Sequence, residues 1–376
     1  MELTMDIHDI DINAIADRYE RAFRREPTDR PVFNISYQLG KTISYPPTPP
    51  TIRDQWFNFD WRMDCAEKNL ENTGFLCEGF PTVSCNLGPD ILAGYTGSEL
   101  VIESTSTNWA RFRVSDWSKE PPITFQKEGF YWKETERFLK LSCSRGKGRW
   151  LTWSGDLHTN GDGLAALRNP QNLLLDLYDC PDEIHRRMKE MHRVFEQVLE
   201  ATFAITLPGN QGLSSSWCVA AARGRFAAIQ NDFCCMVGRE MFDEFFKAYV
   251  EKEASLLDHS IYHLDGPGAI QHIESICESP HLDVIQWVPG AGQKPTSQWP
   301  ELMQKIQALG KGLWIHGSPR DQLEILKQVK PEGCMYNLGF PNRDEAEAWV
   351  READTILKAK CPVCSGNTRR SPCKGI

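Results

Sequence analysis

The C-terminal half of the chain repeats one pattern four times, a short apolar strand followed by an amphipathic helix. The predicted strands are residues 260–265, 284–288, 312–316 and 334–338. Each is rich in β-branched and aromatic residues, and each is followed by apolar residues at helical spacing. Since a crossover helix returns the chain to the same end of a sheet, successive units of this kind predict parallel strands.

The N-terminal half is less regular but continues the pattern. Residues 31–35, 81–85 and 150–153 are predicted strands, and residues 90–148 read as an insertion with short antiparallel strands. We therefore expect an α/β fold, a (β/α)8 TIM-type barrel over residues 31–357, preceded by a helical extension at 1–30. Barrels routinely reach the 376 residues of this chain as one domain.

The tail at 358–376 changes character, since it is basic and has no apolar periodicity. We expect it to be disordered. Cys361 and Cys364 form half of a zinc-binding pattern, but a second pair at matching spacing is missing. The 13 cysteines are scattered and no export signal precedes them, so we expect reduced thiols.

Composition excludes several partners. The net charge is −9, and acids and bases are interspersed, whereas nucleic-acid binders concentrate positive charge on one face. No apolar run approaches the ~20 residues needed to span a bilayer. The sequence predicts a cytoplasmic protein whose partner is a small molecule, with no nucleic-acid or membrane partner.

His263 and Asp265 are the sharpest candidates for catalysis. Residues two apart on a strand point to the same side, so both side chains should project into the mouth of a barrel. Gly266 follows and permits a tight turn. The alternative is a structural His–Asp hydrogen bond that fixes this turn. His316 ends the next strand but one and is the third catalytic candidate, as a general acid or base or as a metal ligand.

Other polar side chains at strand ends are candidates for substrate binding. Arg223 and Arg225 suit a carboxylate, because guanidinium binds carboxylates through two hydrogen bonds; the alternative is a solvated loop with surface ion pairs. The remaining candidates are Asn34, Gln38, His158, Gln286 and Trp287; for Trp287, packing in the core is the alternative.

Two runs carry a resemblance to a known family. Residues 262–268 read YHLDGPG, and residues 285–292 read IQWVPGAG. Together with GDLH at 155–158, QNDF at 230–233 and MFDEF at 241–245, they resemble the uroporphyrinogen decarboxylase-like superfamily, in the branch near corrinoid-linked methyltransferases. The resemblance covers most of residues 30–357 and implies a (β/α)8 barrel.

The sequence departs from that family at two places, and these departures limit the activities that we expect. The arginine-rich segment that follows the first strand of true uroporphyrinogen decarboxylases is replaced by NISYQLG at 34–40, so that activity is not expected. The methyltransferase branch holds zinc with an HxC pair and a later cysteine. We match the pair to His316 and Ser318, and the later cysteine to Cys334 or to the place of Phe340. The resemblance thus implies zinc, but with an incomplete ligand set.

Three functions follow as hypotheses. The first is a methyltransferase or demethylase that passes a methyl group from a small methylated substrate to a corrinoid, carried by a partner protein, or to a thiol. The second is a metal-free decarboxylase or lyase for a carboxylate-bearing substrate. The third is a non-catalytic barrel that binds a small molecule. Stoichiometric zinc in the pure protein would favour the first.

Overall fold

The computed structural model describes residues 10–360, which form a mixed α/β fold around a mostly parallel sheet. The helices are α1 (Ile12–Phe23), α2 (Ile52–Phe57), α3 (Phe59–Glu71), α4 (Ile91–Tyr95), α5 (Phe130–Gly146), α6 (Asn160–Arg168), α7 (Pro170–Asp179), α8 (Pro181–Gly209), α9 (Arg239–Phe245), α10 (Lys247–Ser255), α11 (Ile273–Cys277), α12 (Pro300–Ala308), α13 (Pro319–Gln328) and α14 (Arg343–Lys360). The strands are β1 (Val32–Gln38), β2 (Thr73–Cys77), β3 (Thr82–Cys85), β4 (Leu100–Val101), β5 (Trp109–Ala110), β6 (Leu151–Ser154), β7 (Leu213–Ser214), β8 (Ala222–Arg223), β9 (Phe226–Gln230), β10 (His259–Asp265), β11 (Val284–Val288), β12 (Gly312–Ile315) and β13 (Cys334–Phe340).

Seven strands form the main sheet, in the order β2-β1-β13-β12-β11-β10-β9. All neighbours are parallel except β1 and β2. The four strand–helix units predicted in the C-terminal half are confirmed, and the first parallel strand lies beside the last. β3 and β6 form a separate parallel pair.

A closed eight-stranded barrel is not confirmed, because the ladder of backbone hydrogen bonds is interrupted on both sides of the β3–β6 pair. Side chains take the place of a neighbouring strand at one gap. Asn210 bonds both backbone groups of Thr152 in β6, at 2.9 and 2.8 Å, and Ser216 accepts the N–H of Ala228 in β9 at 3.1 Å. Buried backbone groups must be paired, and here amide and hydroxyl groups do so. At the other gap, the antiparallel strand β2 occupies the edge of β1.

Apolar side chains fill both faces of the main sheet. One face of the sheet, here called the inner face, buries Val32, Ile261, Val284 and Met335 in one cluster. The residues that alternate with these along each strand point to the other face and pack against the surrounding helices. This near-continuous apolar character is expected for parallel strands covered on both faces. Helix α1 contributes Phe23 and its neighbours to the inner cluster, so it covers the amino ends of the strands.

The segments outside the repeating units have local structure of their own. The region predicted as an insertion, 90–148, contains α4, the antiparallel pair β4–β5 and α5. Helix α14 continues to Lys360, so the first residues of the predicted tail are helical. Residues 361–376, with the cysteine pattern, lie outside the described part of the chain. No helix between residues 10 and 360 combines the length and the apolar character that a membrane crossing requires.

His259, at the amino end of β10, fixes α1 to the sheet. Its ring lies between the carboxylates of Glu20 (3.0 Å) and Asp283 (3.3 Å) and stacks on Phe23 with 4.3 Å between centroids. Burial alone would lower the pKa of His259, but the hydrogen bonds with Asp283 and Glu20 raise it to about 9. The imidazolium is therefore the form that holds α1 in place at neutral pH.

We predict that His259→Gln destabilises the protein by about 1–2 kcal/mol at pH 6, as expected for hydrogen bonds to charged groups. Because the pKa is raised on folding, this contribution is complete below about pH 6.5 and disappears as the pH rises through about 9. Urea unfolding at pH 6 and pH 10 measures it, with the exposed His281→Gln as control. An equal loss at both pH values would contradict a charged His259.

Candidate active site

The carboxyl ends of β9 and β10 bring together an imidazole and two carboxylates. His263 and Asp265 lie two residues apart at the end of β10, and Asp232 lies two residues beyond the end of β9. One ligand atom from each side chain lies within 4.8 Å of the others. The Nε2 atom of His263 is 3.9 Å from an Oδ atom of Asp232. This group could hold a divalent cation, since carboxylate oxygens and imidazole nitrogens are both common ligands.

Gln286, in register with His263 on the neighbouring strand β11, fixes the orientation of the imidazole. The Nδ1 atom of His263 donates to Oε1 of Gln286 at 2.6 Å, and the thiol of Cys218 donates to the same oxygen at 3.4 Å. The indole of Trp217 packs edge-on against the ring, with 5.0 Å between centroids. With Nδ1 donating to Gln286, the lone pair of an uncharged ring lies on Nε2, the atom nearest Asp232.

The carboxylate of Asp265 has no structural partner of this kind. Within residues 10–360 it forms no hydrogen bond, neither with His263 nor with the backbone of the following turn. The backbone at Gly266 adopts a φ of +73°, and the main chain of Gly290 from the next strand end approaches it closely. The turn thus depends on glycine geometry rather than on a bond between His263 and Asp265.

His316 follows β12 and is half-buried beside the indole of Trp314. Burial and the charge of His263 lower the pKa of His316. Its Nε2 atom is buried and has no hydrogen-bond partner among the described residues. A neutral imidazole with a free ring nitrogen can accept a proton or bind a ligand.

A second cluster surrounds His158 in the loop after β6. The ring contacts Asp90 at 3.3 Å through Nδ1 and Asp156 at 3.5 Å through Nε2. Burial alone would lower the pKa of His158, but these hydrogen bonds and the charge of Asp162 raise it to about 11. His158 is therefore a permanent cation among three carboxylates, and it is unsuited to accept a proton at neutral pH.

Asp162 connects the two clusters. Its carboxylate is buried in α6 and accepts the backbone N–H groups of Asp232 (2.8 Å) and Phe233 (2.7 Å). It thereby holds the loop after β9 in the position that directs the Asp232 side chain to His263. Burial and the charge of Asp162 raise the pKa of Asp232 to about 7. The carboxylates of these two clusters form no ion pair with a lysine or an arginine among residues 10–360.

Two predicted substrate-binding residues lie away from this cluster. Gln38 is exposed at the end of β1 and accepts a hydrogen bond from Asn72 at 3.0 Å. Trp287 alternates with Gln286 along β11, so it points to the opposite face, where it packs against Trp299 with 5.2 Å between centroids. Asn34 is buried on β1 in register with Asn337 of β13.

The two predicted carboxylate-binding arginines lie at the wrong end of the sheet. Arg223 ends β8 and Arg225 lies in the connection to β9, so both precede β9 at its amino end and neither follows a parallel strand. Their guanidinium groups pair with Asp17 (2.6 Å) and Glu200 (2.7 Å) near the surface. The alternative interpretation, surface ion pairs, describes them.

The structure also separates the predicted metal ligands His316 and Cys334. Cys334 begins β13, whereas His316 follows the carboxyl end of the adjacent strand β12. The thiol is buried and donates to the carbonyl of Lys330 at 3.0 Å, and burial raises the pKa of Cys334 far above its usual range. A metal ion bound at the carboxyl ends of the strands could not reach this thiol. The sequence did contain the better signal, an acid just beyond a strand end at Asp232.

We predict that His158→Gln destabilises the protein by about 1–3 kcal/mol at pH 7, because three carboxylates lose their cation. Since the pKa of His158 is raised on folding, this contribution is complete below about pH 6.5, declines as the pH rises, and is lost above about pH 11. Nitrogen NMR of the histidine rings should show both nitrogens of His158 protonated at pH 9. A ring that loses its proton between pH 6 and 7 would contradict the assignment.

Comparison with known proteins supports the fold. No protein-family model and no curated protein matches the sequence. Among solved structures, a methyltransferase from Methanosarcina mazei is similar with a TM-score of 0.58, over 91% of this chain and 98% of that chain, at 11% sequence identity. At this identity the similarity shows a shared α/β fold and nothing about the site. In this chain the central sheet is mostly parallel.

Proposed function

We propose that the chain is a methyltransferase that uses a divalent metal ion, zinc being the first candidate, held by Asp232, His263 and Asp265. The observation that carries the proposal is the convergence of these three side chains within 4.8 Å at the carboxyl ends of adjacent strands. The fold is that of a known methyltransferase, which favours methyl transfer over the other hypotheses. The substrate would be a small methylated molecule, and the acceptor a corrinoid carried by a partner protein or a thiol.

The residues around the cluster fit a metal ion. Metal-ligating histidines usually donate their second ring N–H to an oxygen, and His263 donates Nδ1–H to Gln286. The carboxylate of Asp162 accepts the backbone N–H of Asp232 and so fixes the position of this second ligand. A bound divalent ion would supply the positive charge that the carboxylates lack, and it would favour an incoming thiol in its thiolate form.

The protein's own groups would then orient substrate and manage protons. His316 offers a free, neutral ring nitrogen beside His263, so it is the better candidate for general base. His158, held as a cation, would instead keep the carboxylates of its loop in place. No arginine of the β8–β9 connection reaches this region, which leaves the metal-free decarboxylase without the carboxylate-binding residues it was assigned.

The proposal includes a closed barrel. In chain order β1, β3, β6 and β9 to β13 are eight strands, and the last pairs in parallel with the first. The two gaps lie on either side of the β3–β6 pair, and the loops after β3, β6 and β9 are joined through Asp90, His158 and Asp162. These contacts support a cylinder whose carboxyl end is the active face.

We predict that the purified protein, after dialysis, contains about one equivalent of zinc or another first-row divalent metal per chain. His263→Gln should remove most of this metal, because it removes the nitrogen ligand. Elemental analysis by mass spectrometry measures the content. The matched control is His259→Gln, which alters the opposite end of the same strand and should keep the metal. Wild-type protein that stays metal-free after reconstitution would exclude the metal site.

We predict that Asp265→Asn keeps the fold but lowers methyl transfer by about 10²–10⁴-fold, as expected for loss of a ligand or an acid–base group. The carboxylate makes no structural hydrogen bond, so stability should change by less than about 0.5 kcal/mol. A panel of methylated amines, thioethers and ethers, with cob(I)alamin or a thiol as acceptor, provides the assay. A large loss of stability with unchanged turnover of the folded fraction would assign Asp265 a structural role.

A further inference from the structure

Arg62, in α3, carries a half-buried guanidinium that has no carboxylate partner among residues 10–360. Burial lowers the pKa of Arg62 to about 10, so it remains a cation at neutral pH. Among the arginines of residues 10–360 that are not exposed, it alone has no carboxylate oxygen within 4 Å. The others pair with acids; examples are Arg30 with Glu78, Arg168 with Asp176 and Arg187 with Glu183.

The guanidinium is held in one orientation, but only some of its N–H donors are used. It donates to the carbonyl of Trp56 at 3.1 Å and to that of Asn86 at 2.9 Å, and it lies over the ring of Phe138, 4.5 Å from the centroid. An arginine has five N–H donors, so these two bonds hold the group while leaving donors available. Removing a cation from water without a counter-charge is costly, so an anion bound beside Arg62 would offset that cost.

A cavity lies beside this group. It has a volume of about 230 Å³, and besides Arg62 its lining includes Trp61, Asn86, Thr105 and Ser106. The indole N–H of Trp61 is buried and has no acceptor among the described residues. The lining therefore combines a cation, an unused N–H donor and two hydroxyls, and it contains no acid. Such a set of donors is complementary to an oxyanion.

The cavity lies at the carboxyl ends of the strands, the same end as the candidate active site. Asn86 directly follows β3, and its side chain lies so close to Gly155, just after β6, that a Cβ atom there would be 2.5 Å from the Asn86 Oδ1 atom. The same two loops supply Asp90 and His158, which contact each other four residues after Asn86 and three residues after Gly155. The loop after β3 therefore contributes to both places.

We infer that Arg62, Trp61 and the hydroxyls of Thr105 and Ser106 form a binding site for the carboxylate of a small molecule. A planar carboxylate fits a guanidinium through two parallel hydrogen bonds. The volume, below the ~300 Å³ of drug-sized pockets, suits a molecule of a few heavy atoms. The site stands on its own geometry, and the further step, that this carboxylate belongs to the methylated substrate, rests on the proposed function.

The test is calorimetric titration of the full chain, at constant ionic strength, with acetate, propionate, succinate, inorganic phosphate and sulfate. At least one carboxylate should bind. Arg62→Gln should weaken its affinity by about 10–100-fold, and Trp61→Phe, which keeps the ring and removes the N–H, by about 3–10-fold. The control is Arg225→Gln, whose guanidinium pairs with Glu200 near the surface and should leave the affinity unchanged.

Each other outcome overturns the inference. Binding of phosphate or sulfate without any carboxylate would assign the site to an inorganic oxyanion, and binding of none of the probes would remove the site. Should Arg62→Gln fail to fold, Trp61→Phe decides, because unchanged affinity in that variant contradicts the site. Titrations repeated on protein treated with a chelator separate this inference from the proposed function: loss of metal should abolish methyl transfer but not carboxylate binding.

Discussion

The carboxylate of Asp162 is the interaction on which the candidate site depends. Backbone hydrogen bonding between β6 and β9 is missing, so the sheet itself does not fix the relation between these two strands. Asp162, which follows β6, accepts two backbone N–H groups of the loop after β9 and bridges the gap just where Asp232 is displayed. Burial raises the pKa of Asp162, and the His158 cation beside it offsets part of the cost of burying this charge. Charge burial thus replaces a strand contact.

Two histidines on β10 have different roles because their surroundings differ. His259 and His263 lie four residues apart on this strand, one near each end. His259 lies between two carboxylates and an aromatic ring, so it is charged and structural. His263 is held by an amide oxygen at one nitrogen and directs the other toward carboxylates that accept no side-chain hydrogen bond within residues 10–360. The same side chain is a clamp in one place and a candidate ligand in the other.

The arginines show the same division. Most of those that are not exposed pair with acids and fix loops, as Arg187 does through Glu183, Glu190 and backbone carbonyls. Arg62 is held by carbonyls and an aromatic ring instead, and it faces a cavity. If the proposed metal and the inferred carboxylate site belong to one reaction, the charges at the mouth are complementary: carboxylates gather where a cation would bind, and a guanidinium lies where an anion would.

The sequence by itself determined the parallel strands of the C-terminal half and the polar residues that end them. Alternation along a strand is local, so His263, Asp265 and Gln286 could be assigned to strand ends without knowing their neighbours. Tertiary structure alone decided which strand ends meet. Arg223 and Arg225 resembled a loop after a strand, and only the position of β8 and β9 showed that they precede one. The sequence marked no relation between Asp162 and Asp232, because the contacts of Asp162 join loops 70 and 71 residues apart. Burial and pairing, which separate Arg62 from the other arginines, are properties of the folded chain, since both depend on residues brought together from distant segments.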